Sequence, residues 1–396
     1  MFNRIWQHLT SDRLSRRDWL RTGGIFGLAG LLGSAAVSAE ERAEAQSGSG
    51  AADTTKGGNV EGQYGPPEAG GSFGRPHGEM KTQGTVDHEA NGFDPMNVLY
   101  DFDYGSVSTM DDGQTLREYT VVATDQEIEV APGVYFPAWT YEGRVPGPTF
   151  RAEEGDRIRI QFANAGSHPH TIHFHGIHNA SQDGVPGAGD GMIDPGESTT
   201  YEFDALPYGC HLYHCHSIPL KDHIHRGLYG GFIIDPDPER FEGEERELAR
   251  RRNHQYPECE EVHEMVMVMN GFDTNYDGEN EIYAANTVAF AYADREIPIR
   301  HDETVRIYLI NTTEFDPVNS FHLHANFFDY YDHGTTLEPT RQTVDTIMQC
   351  QAQRGILEFD FEGFEPGSYM FHAHQSEFAE LGWMGFFDVR NEGYAA

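Results

Sequence analysis

The chain has 396 residues, enough for two domains with full cores and tails. Acidic residues number 64 against 27 basic ones, a formal net charge of -37, and Lys56, Lys81 and Lys221 are the only lysines. So large a negative field argues against nucleic acid and anionic membrane surfaces as partners, and it fits a halophilic surface adapted to high salt.

Residues 1–45 read as an address. Ser15-Arg16-Arg17-Asp18-Trp19-Leu20 is a twin-arginine (Tat) pattern, followed by an apolar run from Gly23 to Ala39 and small-residue cleavage options after Ala39 or Ala45. This predicts export by the twin-arginine pathway to the periplasm or the exterior, with the signal removed and no stable membrane anchor. Residues 46–95, rich in Gly, Ser, Pro, Glu and Thr, read as a flexible linker.

The first domain is expected over 96–237. Pro146-Gly147-Pro148-Thr149-Phe150 is a turn leading into Arg151 to Phe162, whose apolar and polar residues alternate as in a half-buried strand. A second copy of the pattern, Arg300 to Asn311, belongs to a second domain over 258–391. Asn164 and Asn311 each stand ahead of a histidine pair, and Gly231-Phe232-Ile233 matches Gly385-Phe386-Phe387, so an internal duplication is the simplest account. Helix signals are confined to Glu239–Arg252, within a charged bridge over 238–257. Short alternating strands with Gly and Pro turns predict an all-β fold of two Greek-key β-sandwiches. Met265, Met267 and Met269 alternate with Val266 and Val268 and read as a core strand; Phe327 to Tyr331 reads as strand packing. Of the cysteines other than Cys215, Cys259 and Cys350 both lie in the second half and form the expected disulfide, leaving Cys210 as a free thiol.

The chemistry is carried by four His-X-His pairs: His173/His175, His214/His216, His322/His324 and His372/His374. Random placement of 21 histidines in this length would give roughly one such pair. In a strand, residues i and i+2 share a face, so each pair offers two imidazoles to one point. Imidazole suits Cu, Zn, Fe and Ni, and the lone cysteine inside His214-Cys215-His216 tips the choice to copper. Cys215 points opposite to its flanking histidines, so one strand can serve two metal centres. His170, three residues before His173, points to the Cys215 side. A second imidazole for that side would come from the downstream His223 or His225.

These motifs resemble those of the small, two-domain, laccase-like multicopper oxidases, which are built from two cupredoxin domains. The resemblance spans about 290 residues. It implies a type 1 (blue) copper held by His170, Cys215 and His223, with Leu228 at the axial position five residues after His223. A leucine there leaves a three-coordinate, more oxidising site. The Cys215 to His223 spacing is longer than in three-domain laccases and closer to that of copper nitrite reductases. His173 and His322 would hold a type 2 copper, and His175, His214, His216, His324, His372 and His374 a type 3 pair, giving four coppers in all. The second domain has lost its blue centre: Asn319 stands for His170, Ala373 for Cys215, and Glu377 falls near the slot of His223.

The resemblance further implies electron transfer through Cys215 to its neighbours, four one-electron oxidations of a small reducing substrate, and reduction of one dioxygen to two waters. Asp183, in the Gln182-Asp183-Gly184 turn, resembles the family's catalytic acid near the cluster and reads equally as a plain turn residue. Asp222 reads as a solvated charge rather than a proton acceptor. A chain with only two domains is expected to complete its cluster in a homotrimer. The competing activities are a metallo-oxidase for Cu(I) or Fe(II), a copper nitrite reductase and copper storage.

Overall fold

The structure, a computed structural model, describes residues 85–259 and 262–391. The twin-arginine signal and the linker up to residue 84 lie outside the described residues. Residues 85–95 are folded, which corrects the reading of 46–95 as linker throughout. Asn91 is buried there, its side chain donating to Glu129 O and accepting from Glu129 N–H, so this segment is stitched to the first domain.

Two sandwiches follow, and both are cupredoxin-like. In the first, one five-stranded sheet has Phe102–Asp103, Thr149–Glu153, Tyr229–Asp235, Gly209–His214 and His173–Phe174 in that order. The facing sheet has Ser106–Thr109, Thr115–Ala131, Arg157–Asn164 and Ser198–Asp204, with Val134–Tyr141 also paired to Thr115–Ala131. In the second domain, a six-stranded sheet centred on Val262–Phe272, Thr304–Asn311 and Arg354–Phe359 packs on a five-stranded one. That five-stranded sheet runs Arg295–Arg300, Met384–Arg390, Gly367–His372, Val318–Leu323 and Thr346–Cys350.

Alternation decides which core each side chain joins. In Arg157–Asn164, Ile158, Ile160 and Phe162 are buried while Arg157, Arg159 and Gln161 face outward. The matching strand Thr304–Asn311 is almost wholly buried, because both of its faces are covered. Val305, Ile307 and Leu309 enter the second domain's core with Met265, Met267 and Met269, while Tyr308 and Ile310 join Val266 and Val268 against the first domain's Leu212 and Tyr229. The methionine row is therefore core, as its pattern indicates. In the aromatic run, Phe328, Tyr330 and Tyr331 are buried, but Phe327 is 54% exposed.

Across the joint between the sandwiches lies a buried ionic cluster. Arg151 pairs with Asp235 at 2.9 Å and Glu264 at 2.7 Å, and Arg306 pairs with Glu264 at 2.9 Å and Glu358 at 2.7 Å. Tyr308 OH adds a bond to Glu264 at 2.6 Å. Burial works to raise the Glu264 carboxyl, but Arg151 and Arg306 outweigh it and hold the group below its ordinary range; Arg306 and Arg252 likewise hold Glu358 at about 2.

The duplication is visible in the register, with one correction. His214 pairs with Tyr229 and His372 with Met384, so Gly230, not Gly231, is the counterpart of Gly385. The reason is steric: a Cβ on Gly230 would lie 2.4 Å from Tyr213 Oη, and one on Gly385 2.5 Å from Phe371 Cζ. The expected Cys259–Cys350 disulfide is absent, and all four cysteines are free. Cys259 is buried beside the ionic cluster, its sulfur 3.6 Å from Arg306 Nη1, whereas Cys350 is exposed at the end of an edge strand.

Candidate metal centre

Cys215 follows the strand Gly209–His214, and the chain then enters the short helix Leu220–His225. His170 and His223 meet the cysteine in the interior. Cys215 Sγ is 3.2 Å from His223 Nδ1 and 4.0 Å from His170 Nδ1, and the two nitrogens are 3.2 Å apart. An ion with two imidazole nitrogens at about 2.0 Å and a sulfur at about 2.3 Å in a trigonal array separates its ligand atoms by about 3.5–3.7 Å. The residues therefore fit a metal, and all three are buried. Burial pushes the His170 imidazole down to about 3 and that of His223 to about 4, in each case aided by a neighbouring histidine, so both keep a lone pair at neutral pH. Burial raises the Cys215 thiol, opposed by hydrogen bonds from Ser217 and Thr171. Leu228 is fully buried in the same core and its carbonyl accepts the Cys215 N–H at 2.9 Å.

His225 goes elsewhere. Its Nε2 accepts the Asp273 N–H at 2.9 Å, and its ring packs on Phe136 and Phe315. The structure thus brings His223, and not His225, to the cysteine.

On the opposite side of the Cys215 backbone, His173, His175, His214 and His216 form one set. His173 pairs across the sheet with His214, and the His175 and His214 Nε2 atoms are 2.9 Å apart. The second domain repeats this: His322 pairs with His372, and the His324 and His372 Nε2 atoms are 2.9 Å apart. Carbonyls hold the far nitrogens. His214 Nδ1 lies 2.8 Å from Cys215 O, His372 Nδ1 2.6 Å from Ala373 O, and His322 Nδ1 2.9 Å from Asp345 O. Such bonds place the proton on Nδ1 and leave Nε2 free to bind a metal. At 2.9 Å one ring of each pair can donate its Nε2–H to the other, and a bound cation would take the place of that hydrogen. Burial, with the neighbouring histidines, lowers His175 to about 2, and burial lowers His214 to about 3.

The two sets do not meet within the chain. A cavity of about 210 Å³ lies before the first set, and the second domain lines it with Asn311, Thr312, Gln351 and Ala352 rather than histidine. Among the described residues, no hydrogen bond or ring contact joins one set to the other. His324 and His374 are exposed.

Both halves match family models described as multicopper oxidase, over residues 123–239 and 260–393. The chain belongs to the multicopper oxidases. A solved structure of a multicopper oxidase is 53% identical, with a TM-score of 0.70, covering 77% of this chain and all of that one. The copper-containing nitrite reductase of Neisseria meningitidis is 29% identical over 255 residues, 63% of each protein. Laccase-2 of Botryotinia fuckeliana is 39% identical over 124 residues, 30% of this chain and 20% of that protein. The chain thus spans less than two thirds of the length of these curated relatives.

As a multicopper oxidase, the chain has His and Cys groups consistent with copper, and its second domain repeats the backbone pattern around Cys215 without a cysteine. Asn319 and Ala373 occupy the expected positions, but the third slot belongs to Phe378 rather than Glu377. Leu228 N–H bonds to His223 O and Cys215 N–H to Leu228 O; likewise Trp383 N–H bonds to Phe378 O and Ala373 N–H to Trp383 O. Phe378 and Trp383 are buried in the core, whereas Glu377 is exposed.

Asp183 does reach the cluster side: its carbonyl lies 2.8 Å and its Oδ1 2.9 Å from His173 Nδ1. Sequence reasoning missed His178, whose Nε2 is 3.6 Å from Asp183 Oδ1 and whose ring packs against His173. Its signal was available, a third histidine five residues before Asp183. Asp222 lines a second cavity, of about 230 Å³, with Lys221, Arg226 and Tyr276.

Proposed function

We propose that this multicopper oxidase is an exported laccase-like enzyme that couples one-electron oxidation of phenolic or similar small donors to reduction of dioxygen to water. The observation that carries the reading is the presence of two four-imidazole sets, the first of them adjoining one buried His2Cys centre. Bound copper supplies one-electron chemistry at the blue centre and four-electron chemistry at the cluster, four donor electrons and four protons converting one O2 to two waters. The residues do the rest. His170, Cys215 and His223 would hold the blue copper, with Leu228 in the same buried core; Cys215 is covalently continuous with His214 and His216. Asp183, in contact with His173 Nδ1, would orient that imidazole and serve as the proton donor for oxygen reduction.

The homotrimer belongs to the same proposal. Because each set is complete in itself and the two are apart in one chain, the first domain of one subunit would meet the second domain of its neighbour, closing a ring of three clusters. Exposed apolar side chains near both sets, Ile218 at 68%, Phe327 at 54% and Met348 at 61%, support a contact there.

The nitrite reductase reading has the Neisseria relative and the Cys215–His223 spacing in its favour. It has no use for eight cluster histidines. Copper analysis with optical and paramagnetic spectra separates the two: the oxidase predicts four coppers per chain and a blue band with donor-driven oxygen uptake. Two coppers per chain and turnover of nitrite would overturn it.

A further inference from the structure

Thr171 lies between His170 and His173 and is fully buried. Its backbone is fixed on one side by Tyr141 Oη, which donates to Thr171 O at 2.5 Å, and on the other by its own N–H, which points at Cys215 Sγ at 3.3 Å. The side chain sits at a junction. Thr171 Oγ1 accepts the His216 N–H at 2.9 Å and lies 3.9 Å from Cys215 Sγ. With the oxygen engaged as acceptor and a metal-bound thiolate carrying no hydrogen, the hydroxyl hydrogen has the sulfur as its partner.

The duplication supplies an internal control. Ser320 holds the same place, one residue after Asn319, and its Oγ accepts the His374 N–H at 2.8 Å. There Ala373 replaces the cysteine, and the Ser320 hydroxyl donates to Gln375 Oε1 instead. Both domains keep the hydroxyl that holds the backbone of the last cluster histidine. Only the first has a sulfur for its hydrogen.

We propose that Thr171 is a positioning residue shared by both centres, steadying His216 through its oxygen and raising the reduction potential of the blue centre through its hydrogen. A donor on the sulfur stabilises the state with more negative charge on the site, which is the reduced one, and hydrogen bonding around the cysteine sulfur is a recognised control of such potentials. The inference rests on the assignment of Cys215 as a copper ligand.

The test is redox titration of the blue band in the full copper-loaded protein. Thr171→Val removes the hydroxyl at nearly constant shape. It is expected to shift the exchange equilibrium with a one-electron mediator about tenfold toward oxidised copper, a downward shift of about 59 mV. Thr171→Ser should restore the wild-type value. Ser320→Ala removes the same type of backbone acceptor without touching sulfur and should leave the potential unchanged. If Thr171→Val does not load copper, Thr171→Ala gives the same comparison. An unaltered potential in the hydroxyl-free variant, or an equal shift in Ser320→Ala, would overturn the proposal. Absence of a blue band in the wild type would instead overturn the assignment of Cys215.

Discussion

Glu264→Gln tests whether the two sandwiches are locked by the charge cluster at their joint. The substitution keeps the shape and removes one negative charge from a carboxylate that bonds Arg151, Arg306 and Tyr308. Breaking a buried ion pair from one side costs about 3–5 kcal/mol. Here each arginine retains one carboxylate, Asp235 for Arg151 and Glu358 for Arg306, so the lower end, about 3 kcal/mol, is expected. Denaturant unfolding near neutral pH, followed by tryptophan fluorescence, reads this as a lower midpoint with an unchanged slope. The pH dependence fixes the sign. Glu264 and Glu358 are depressed in the folded state, so their stabilisation is present above the unfolded value of 4.5 and is lost as pH falls toward the folded value, about 2 for Glu358. The gap between wild type and variant should therefore narrow below about pH 4.5. A variant as stable as wild type at pH 7, or a gap that widens in acid, would refute the reasoning.

Cys215→Ser should abolish the blue band and donor oxidation while the cluster still binds copper; a retained blue band contradicts the assignment. Leu228→Met should add a weak axial ligand and lower the potential of the blue centre, with an unmoved potential placing the axial position elsewhere. Low ionic strength should destabilise a chain of net charge -37, so the melting temperature should rise with added salt, and a salt-independent melt would remove the halophilic reading.

The grouping of the histidines was legible because a strand has a period of two: His-X-His converts spacing into direction, and the three-residue step from His173 back to His170 converts it into the opposite direction. The same rule placed Cys215 and the methionine row. Where the chain is not a strand, the rule had no purchase. His223 and His225 lie on a helix, and their fates depend on the nearby Cys215 sulfur and on the Asp273 amide, which a segment 48 residues away supplies. Phe378 was misplaced to Glu377 because the loop after Ala373 is shorter than that after Cys215, and only the carbonyl pattern around Trp383 reveals the register. The ionic cluster was invisible because its members look like ordinary outward residues of alternating strands. They are buried because a second domain covers that face.

The most direct test of the shared cluster is complementation between subunits. One variant lacks His214 and His216, the other His322 and His324, and each is expected to be inactive alone. After dissociation, mixing and reassembly, an intact first domain can meet an intact second domain from the other variant. Oxygen uptake with a phenolic donor should then return in part, together with copper at the restored clusters. No recovery, despite demonstrated subunit mixing, would mean that the two histidine sets do not combine between chains.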